Sequence, residues 1–222
     1  MKDQEKHKGD QDKQHGLTRQ RLLEAAGEVF AERGFRDAVV RDICEKAGAN
    51  VAAINYHFGN KQRLYSAVLK LSYETAMRKY PPTLGLTDDS TPQEQLFAFV
   101  HALLLRVLDA GRPAWHGKLV GREMAEPTVA FEEIARDMLD PLFLRLRGIL
   151  AKLVPGATED HLNRSCASIV GQCMFYYHGR AVIHRVYPSQ GYGPADIEAL
   201  AQHVTRFSLA GLATADNPHK KK

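Results

Sequence analysis

The chain has 222 residues, 44% hydrophobic and 25% charged, which is typical of a folded protein and too apolar for a disordered one. Its three cysteines include no CxxC pair, so they indicate a reducing compartment such as the cytoplasm rather than a disulfide framework. No apolar run reaches the roughly 20 residues that span a bilayer. The polar first 16 residues lack the apolar stretch of a signal peptide. Secreted, fibrous and membrane-spanning classes are therefore not expected.

The formal net charge of +4 is unevenly distributed along the chain. Residues 1–80 contain 15 Lys and Arg against 11 Asp and Glu, whereas residues 81–222 contain 15 of each kind. The positive excess therefore lies in the N-terminal third, which favours an anionic partner such as nucleic acid for that part. An excess of this size is also compatible with a charge that only keeps the domain soluble.

Apolar residues recur at helical spacing throughout the chain, which predicts an all-α fold. Residues 1–16 are polar and without periodicity, so we expect a disordered tail there. The first helix is expected to begin with Thr18 as its N-cap and to end at Gly34, where a left-handed C-cap is favourable. Further helices are expected over residues 40–47, 51–57, 60–79, 92–108, 115–125, 128–154 (bent near Pro141), 158–186 and 194–213.

The segment 40–58, with the sequence VRDICEKAGANVAAINYHF, has the pattern of a helix-turn-helix. A tight turn at Gly48-Ala49-Asn50 separates two short helices, and Ile43 on the first helix can pack against Ile54 on the second. In this motif one helix lies across the DNA backbone while the next enters the major groove. Short helices joined by a tight turn also occur in proteins that bind no DNA, so the spacing alone leaves both possibilities open.

Several motifs in this sequence occur together in one family. They are AA-x-x-x-F followed by G-F in the first helix, V-R-D-I-x-x-x-A-G in the second, and F-G-N-K-x-x-L at the start of the fourth. With them, residues 17–64 resemble the DNA-binding domain of TetR-family transcriptional repressors. The segments N-V-A-A-I-x-Y-x-F-G, R-E-x-x-x-P-T-x-A-F (122–131) and D-P-L (140–142) are similar to those of the CecR subgroup.

The resemblance implies a DNA-binding domain at 17–64 and an effector-binding and dimerisation domain at 65–213, between tails at 1–16 and 214–222. It also implies that Val51, Ala52 and Ala53 open the recognition helix, where their methyl groups favour thymine. Asn55 would bond an adenine or a phosphate. The remaining residues implied to contact phosphates are Tyr56, His57, Lys61, Thr18, Arg19 and Arg41. Burial in the core, helix capping or plain solvent exposure is the alternative for these side chains.

Two positions depart from the family pattern. Ala38 and Val39 stand where many relatives have Ser or Thr, so Asp37 is expected to cap the second helix instead. Asn55 stands where an aromatic residue is frequent. Neither change is expected to alter the fold.

Two apolar stripes mark the last long helices. We interpret them either as the interface between two copies of the chain or as the core of one subunit. The stripes comprise Ile197, Leu200, Val204, Phe207 and Gly211 on one helix, and Cys166, Ile169, Val170, Cys173 and Tyr177 on the other. As a homodimer, the protein would present two recognition helices about 34 Å apart to a palindromic operator.

An effector pocket is the second function that the resemblance implies, and apolar residues with isolated polar groups are its candidate lining. These candidates are His101, Trp115, Leu119, Met138, Cys173 and Tyr177, and residues of these types are more often core residues than ligand contacts. No cofactor is expected. A metal site at Cys166, Cys173, His178 and His184 has no supporting spacing.

The sequence thus predicts a TetR-type repressor that binds double-stranded DNA as a homodimer and is released by a small molecule. A DNA-binding protein that needs no effector and a helical enzyme are the alternatives. The acidic pairs Asp137/Asp140 and Glu132/Glu133 fit no catalytic motif, which argues against the enzyme.

Overall fold

The computed structural model describes residues 2–109, 111 and 113–214, and side chains from Gln14 to Ala213 within these ranges except that of Ala114. Every regular element in these ranges is helical, as the sequence predicts. In chain order the helices are α1 (Lys2–Asp37), α2 (Val40–Ala47), α3 (Val51–Phe58), α4 (Lys61–Lys79), α5 (Pro92–Leu108), α6 (Ala114–Ala125), α7 (Phe131–Ile134), α8 (Asp140–Leu153), α9 (Glu159–His178), α10 (Arg180–Val186) and α11 (Pro194–Thr214). A π-helical turn, Ala135–Leu139, connects α7 to α8.

The beginning of α1 differs from the sequence prediction. The helix covers residues 2–16, where a disordered tail was expected, and Thr18 is not its N-cap. The Thr18 hydroxyl donates a hydrogen bond to the carbonyl oxygen of Gln14 at 3.0 Å, one turn earlier. Extending an existing helix needs no new nucleus, so a polar segment can join it without an apolar face of its own. At the other end, Gly34 interrupts α1 with a φ of +77°.

The chain folds into two compact units whose limits differ from the expected division after residue 64. The first unit contains the chain up to Glu74 together with Pro113–Ala135, and the second contains Thr75–Arg112 and the chain from Arg136 onward. Residues 65–74 and the helix α6 therefore lie with the helix-turn-helix segment. Within the described ranges, no helix combines the length and apolar character needed to cross a bilayer.

Packing of α6 on α1 explains why this later segment joins the first unit. Gly27 of α1 lies against the indole of Trp115, and a Cβ at this glycine would lie 2.5 Å from the ring. The buried carboxylate of Glu123 accepts hydrogen bonds from the Tyr65 hydroxyl at 2.6 Å and from the Thr128 amide at 2.8 Å. Burial, and then the bond to Glu123, raise the pKa of Tyr65. These contacts join α4 and α6 within the unit.

The second unit is a bundle in which α5 packs against α8, α9 and α11. Its core contains most of the two apolar stripes of the sequence, including Ile197, Leu200, Cys166, Ile169 and Cys173. The stripes therefore belong largely to the interior of one subunit, because α5 supplies a buried partner face that periodicity alone does not reveal. Phe207 is the exception among the large side chains of these stripes, since it is exposed.

Two helices predicted as continuous are interrupted. The segment 128–154 is divided by the π-helical turn, after which Pro141 lies in the first turn of α8, where a missing N–H costs no hydrogen bond. The segment 158–186 is divided at Gly179, whose N–H donates to the carbonyl oxygen of Phe175 at 2.7 Å. The helices α5 and α11 match the predicted limits closely, and Thr91 caps α5 with a capping box.

Truncating the α5 core tests this packing. Leu104 is fully buried, so Leu104→Ala should lower the free energy of unfolding of the second unit by about 3 kcal/mol. Leu144→Ala, at a side chain that is 59% exposed, should change it by less than about 0.5 kcal/mol. Urea unfolding followed by circular dichroism measures both values, and equal losses would contradict the assigned core.

Candidate DNA-binding interface

The turn between α2 and α3 is built from a glycine and an arginine. Gly48 ends α2 with a φ of +58° and a ψ of +42°, a left-handed conformation that costs a glycine little. The Arg21 guanidinium, reaching over from α1, donates hydrogen bonds to the carbonyl oxygens of Ala47 and Gly48. The Asn50 side chain then accepts from the Ala53 amide at 2.9 Å and caps α3 as predicted. The entry angle of α3 is thereby fixed.

Burial of one face of α3 determines which side chains face outward. Ile54 is buried, as expected from its predicted contact with Ile43, and Phe58 is buried as well. On the opposite side Val51 is 48% exposed and Tyr56 is 73% exposed. Ala52 and Asn55 are also exposed, whereas Ala53 and His57 are partly buried. The exposed face is uncharged and carries methyl groups, one amide and one phenol.

Basic side chains next to this face are held on aromatic rings. The guanidinium of Arg19 lies 5.2 Å from the centroid of the Phe58 ring, and the Lys61 ammonium lies 4.9 Å from that of Phe35. Lys61 also donates a hydrogen bond to the carbonyl oxygen of Arg36 at 3.1 Å. Such contacts limit the motion of the side chains but leave their charge uncancelled.

Ion pairing separates two groups of basic residues in the first unit. Arg33 pairs with Asp42 and Lys46 pairs with Glu28, so these cations serve to join α1 to α2. In the part of the chain that the structure describes, Arg19, Arg41 and Lys61 have no carboxylate within ion-pair distance. Their charges remain available to an external anion.

A cluster of three rings lies where α1 and α3 meet. The His15 ring stacks on Tyr56 with centroids 5.5 Å apart, and it lies edge-on to His57 at 6.1 Å. Burial, and then the nearby His15 and Arg19, lower the pKa of His57. Sequence reasoning missed His15 because it assigned residues 1–16 to a disordered tail, and no local pattern marks the contact.

One capping prediction near this surface was wrong. Asp37 was expected to cap α2, but the residue at the N-cap is Val39, which has an extended backbone and no side-chain hydrogen bond to the helix. Since valine offers no acceptor, the first amides of α2 are left without a side-chain partner. Arg41, two residues later, is exposed.

The six candidate effector residues are distributed over both units. Trp115 and Leu119 are buried in the first unit, while His101, Met138, Cys173 and Tyr177 lie in the second. Cys173 is a core residue, and burial raises its pKa to about 12, so its thiol is not reactive at neutral pH. His101 lines a cleft in the second unit. The described residues contain no cluster of three potential metal ligands.

Comparisons with known proteins identify the family of this chain. Residues 92–212, more than half of the chain, match the C-terminal domain of the HTH-type transcriptional dual regulator CecR, and residues 22–68 match the bacterial regulatory proteins of the tetR family. The chain belongs to the TetR family, in its CecR subgroup. Members of the TetR family are DNA-binding transcriptional regulators.

Individual relatives support this membership. The regulator CecR of Shigella flexneri is 26% identical over 174 residues, which cover 74% of this chain and 78% of the relative. The regulator SrpR of Pseudomonas putida is 38% identical over 87 residues, covering 39% of this chain and 38% of that protein. A TetR-like regulator from Rhodococcus sp. RHA1 shares the fold, with a TM-score of 0.61 and 21% identity over 89% of this chain and 96% of that one.

The ring cluster can be tested by titration. The pKa of His57 should lie below the ordinary value of 6.5, and His15→Ala should raise it because a neighbouring charge is removed. Because a lowered pKa means that folded His57 binds fewer protons than unfolded His57, the free energy of unfolding should fall as the pH drops from about 6.5 towards the folded pKa. Imidazole chemical shifts report the pKa of His57 in the wild-type protein and in the His15→Ala variant. An unchanged His57 titration in the His15→Ala variant would contradict the contact.

Proposed function

We propose that the protein is a cytoplasmic repressor that binds a palindromic operator as a homodimer and is released by a small-molecule effector. The observation that carries this proposal is an exposed, uncharged face on α3 next to cations that have no ion-pair partner among the residues that the structure describes. An uncharged face suits base edges, and uncancelled cations suit phosphates.

The side chains on α3 favour a particular mode of readout. Val51, Ala52 and Ala53 have only methyl groups at the start of the helix, and these suit thymine C5-methyl groups in the major groove. Asn55 is the residue whose amide can form a bidentate pair with adenine. We therefore expect A·T pairs at the centre of each half-site.

Phosphate contacts would surround the groove. Positive charge would come from Arg19, Arg41 and Lys61, and a hydroxyl from Thr18. A phenol and an imidazole at the end of α3 would come from Tyr56 and His57. Arg63, which no motif of the sequence marks, is exposed two residues after Lys61 and has no ion pair within the described ranges. We add it to the proposed phosphate contacts.

Dimerisation is supported by exposed aromatic side chains on the last long helices of the second unit. Phe175 on α9 is 56% exposed, and Phe207 on α11 is 63% exposed. Burying large aromatic residues of this kind stabilises association, and a twofold interface would use the same residues from each copy. These phenylalanines replace the buried stripe residues as the proposed interface.

Release of the operator would act through α4, which begins at Lys61 and continues into the second unit. An effector that prefers one conformation of the second unit shifts the population towards it, and an altered position of α4 would change the spacing of the two recognition helices. The relatives CecR and SrpR are transcriptional regulators, which favours this function over an enzyme.

Removing one phosphate contact should change the salt dependence of DNA binding. Lys61→Ala should weaken binding to all sequences and lower the slope of log K against log salt by about one unit. Fluorescence anisotropy with labelled promoter DNA at several salt concentrations measures the slope. Lys70→Ala, an exposed lysine further along α4, is the matched control and should leave the slope unchanged. An equal slope in both variants would remove Lys61 from the contacts.

Introducing a charge at the proposed interface should separate the subunits. Phe207→Glu should yield a monomer in sedimentation experiments and lower operator affinity by about a hundredfold, since each half-site then binds alone. Phe143→Glu changes another exposed phenylalanine, on α8, and should remain a dimer with full affinity. A dimeric Phe207→Glu protein would place the interface elsewhere.

A further inference from the structure

A cleft of about 460 Å³ opens in the second unit beside α5 and the start of α11. Leu105 and Ile197 form apolar parts of its lining, and Tyr80 and Tyr192 contribute aromatic rings. A cleft of this volume with mixed walls has the usual dimensions of a small-molecule site. Its polar groups then determine which chemical class of ligand it accepts.

The charges that line this cleft are negative. Among the described residues that line it, Asp109 and Glu198 are acidic and none is a lysine or an arginine. Asp109 is already paired with Lys79 at 2.6 Å, so its charge is largely cancelled. Glu198 is exposed and has no ion pair in the part of the chain that the structure describes. One uncompensated carboxylate therefore remains.

His101 adds a neutral nitrogen next to this carboxylate. The imidazole is partly buried, and burial lowers its pKa although Glu198 acts in the opposite direction. At neutral pH the imidazole is therefore uncharged and offers one acceptor nitrogen. Tyr192 contributes a buried hydroxyl that has no hydrogen-bond partner within the described ranges.

The helix terminus at the cleft does not favour an anion. The first residue of α11, Pro194, has no N–H to offer. The Asp196 carboxylate accepts a hydrogen bond from the Gly193 amide at 2.9 Å and places a negative charge in the first turn. This carboxylate partly neutralises the partial positive charge at the N-terminal end of the helix. The attraction that such a terminus exerts on phosphate or carboxylate ligands is thereby weakened.

We propose that this cleft binds a small organic cation, a protonated amine carried on an apolar or aromatic body. The ammonium group would lie by Glu198 and His101, where acceptors are available, and the apolar body would lie along Leu105 and Ile197. The site and the class of its ligand are inferred from the lining residues alone. Only the regulatory consequence of binding rests on the proposed function.

The position of the cleft connects this ligand to α4. Tyr80 follows the last residue of α4, and its carbonyl oxygen accepts a hydrogen bond from the Arg106 guanidinium at 2.8 Å. The neighbouring Lys79–Asp109 pair holds the same end of the helix to α5. An amine bound against Tyr80 therefore acts on the end of α4, and we expect it to weaken operator binding.

Three probes with the same phenylbutyl body separate the ligand classes by charge. Isothermal titration calorimetry of the full-length protein should show phenylbutylamine binding about tenfold more tightly than phenylbutanol, with phenylbutanoate weakest. Glu198→Gln should lower the affinity for the amine about fivefold and leave that for the alcohol unchanged. Glu132→Gln, an exposed glutamate of the first unit, is the matched control and should change neither value.

A second variant tests the location independently of charge. Ala195→Trp fills the cleft from an exposed position in the first turn of α11 and should weaken both the amine and the alcohol. Equal binding of amine and carboxylate, or an unchanged amine affinity in both Glu198→Gln and Ala195→Trp, would overturn the proposal.

Operator binding measured in the same preparations separates this inference from the proposed function. If the protein binds its operator but not the amine, only the cation site is wrong. If the amine binds as expected and no DNA sequence is preferred, the cation site stands and the repressor function is wrong.

Discussion

Burial of Ile54 and Phe58 is the constraint on which the proposed DNA-binding surface depends. An α-helix of two turns has only one face to bury, so fixing that face also fixes which residues point to solvent. Gly48 and Arg21 set the angle at which α3 leaves the turn, and the Asn50 cap holds its first residues. The uncharged outer face of α3 is therefore a consequence of packing.

Charge in the first unit is divided between structural and available cations. Arg33 and Lys46 are used to hold α1 against α2, while Arg19 and Lys61 rest on aromatic rings and keep their charge. A ring orders a cation without neutralising it, which would lower the entropy lost in the phosphate contacts that we propose for Arg19 and Lys61. The small formal excess of the N-terminal part thus understates the positive charge that is available for the proposed DNA contacts.

Because α6 packs within the first unit, the helix-turn-helix belongs to a larger packed unit than its own two helices form. The contact between Gly27 and Trp115 and the buried Glu123 carboxylate, bonded to Tyr65, join residues that are far apart in sequence. Breaking such a buried bond leaves an unsatisfied carboxylate, which costs more than the bond itself contributes. The second unit, by contrast, is held mainly by apolar packing around α5.

The sequence by itself determined the all-α class, the helix-turn-helix with its Gly48 turn and Asn50 cap, and the limits of α5, because these depend on periodicity and on residues within one turn of each other. Only the tertiary structure decided that α6 joins the first unit, that the stripe around Cys173 lies inside one subunit, and that His15 stacks on Tyr56. An apolar stripe predicts that a helix face is buried but does not indicate which element packs against it. That packing partner is determined by contacts between residues distant in sequence.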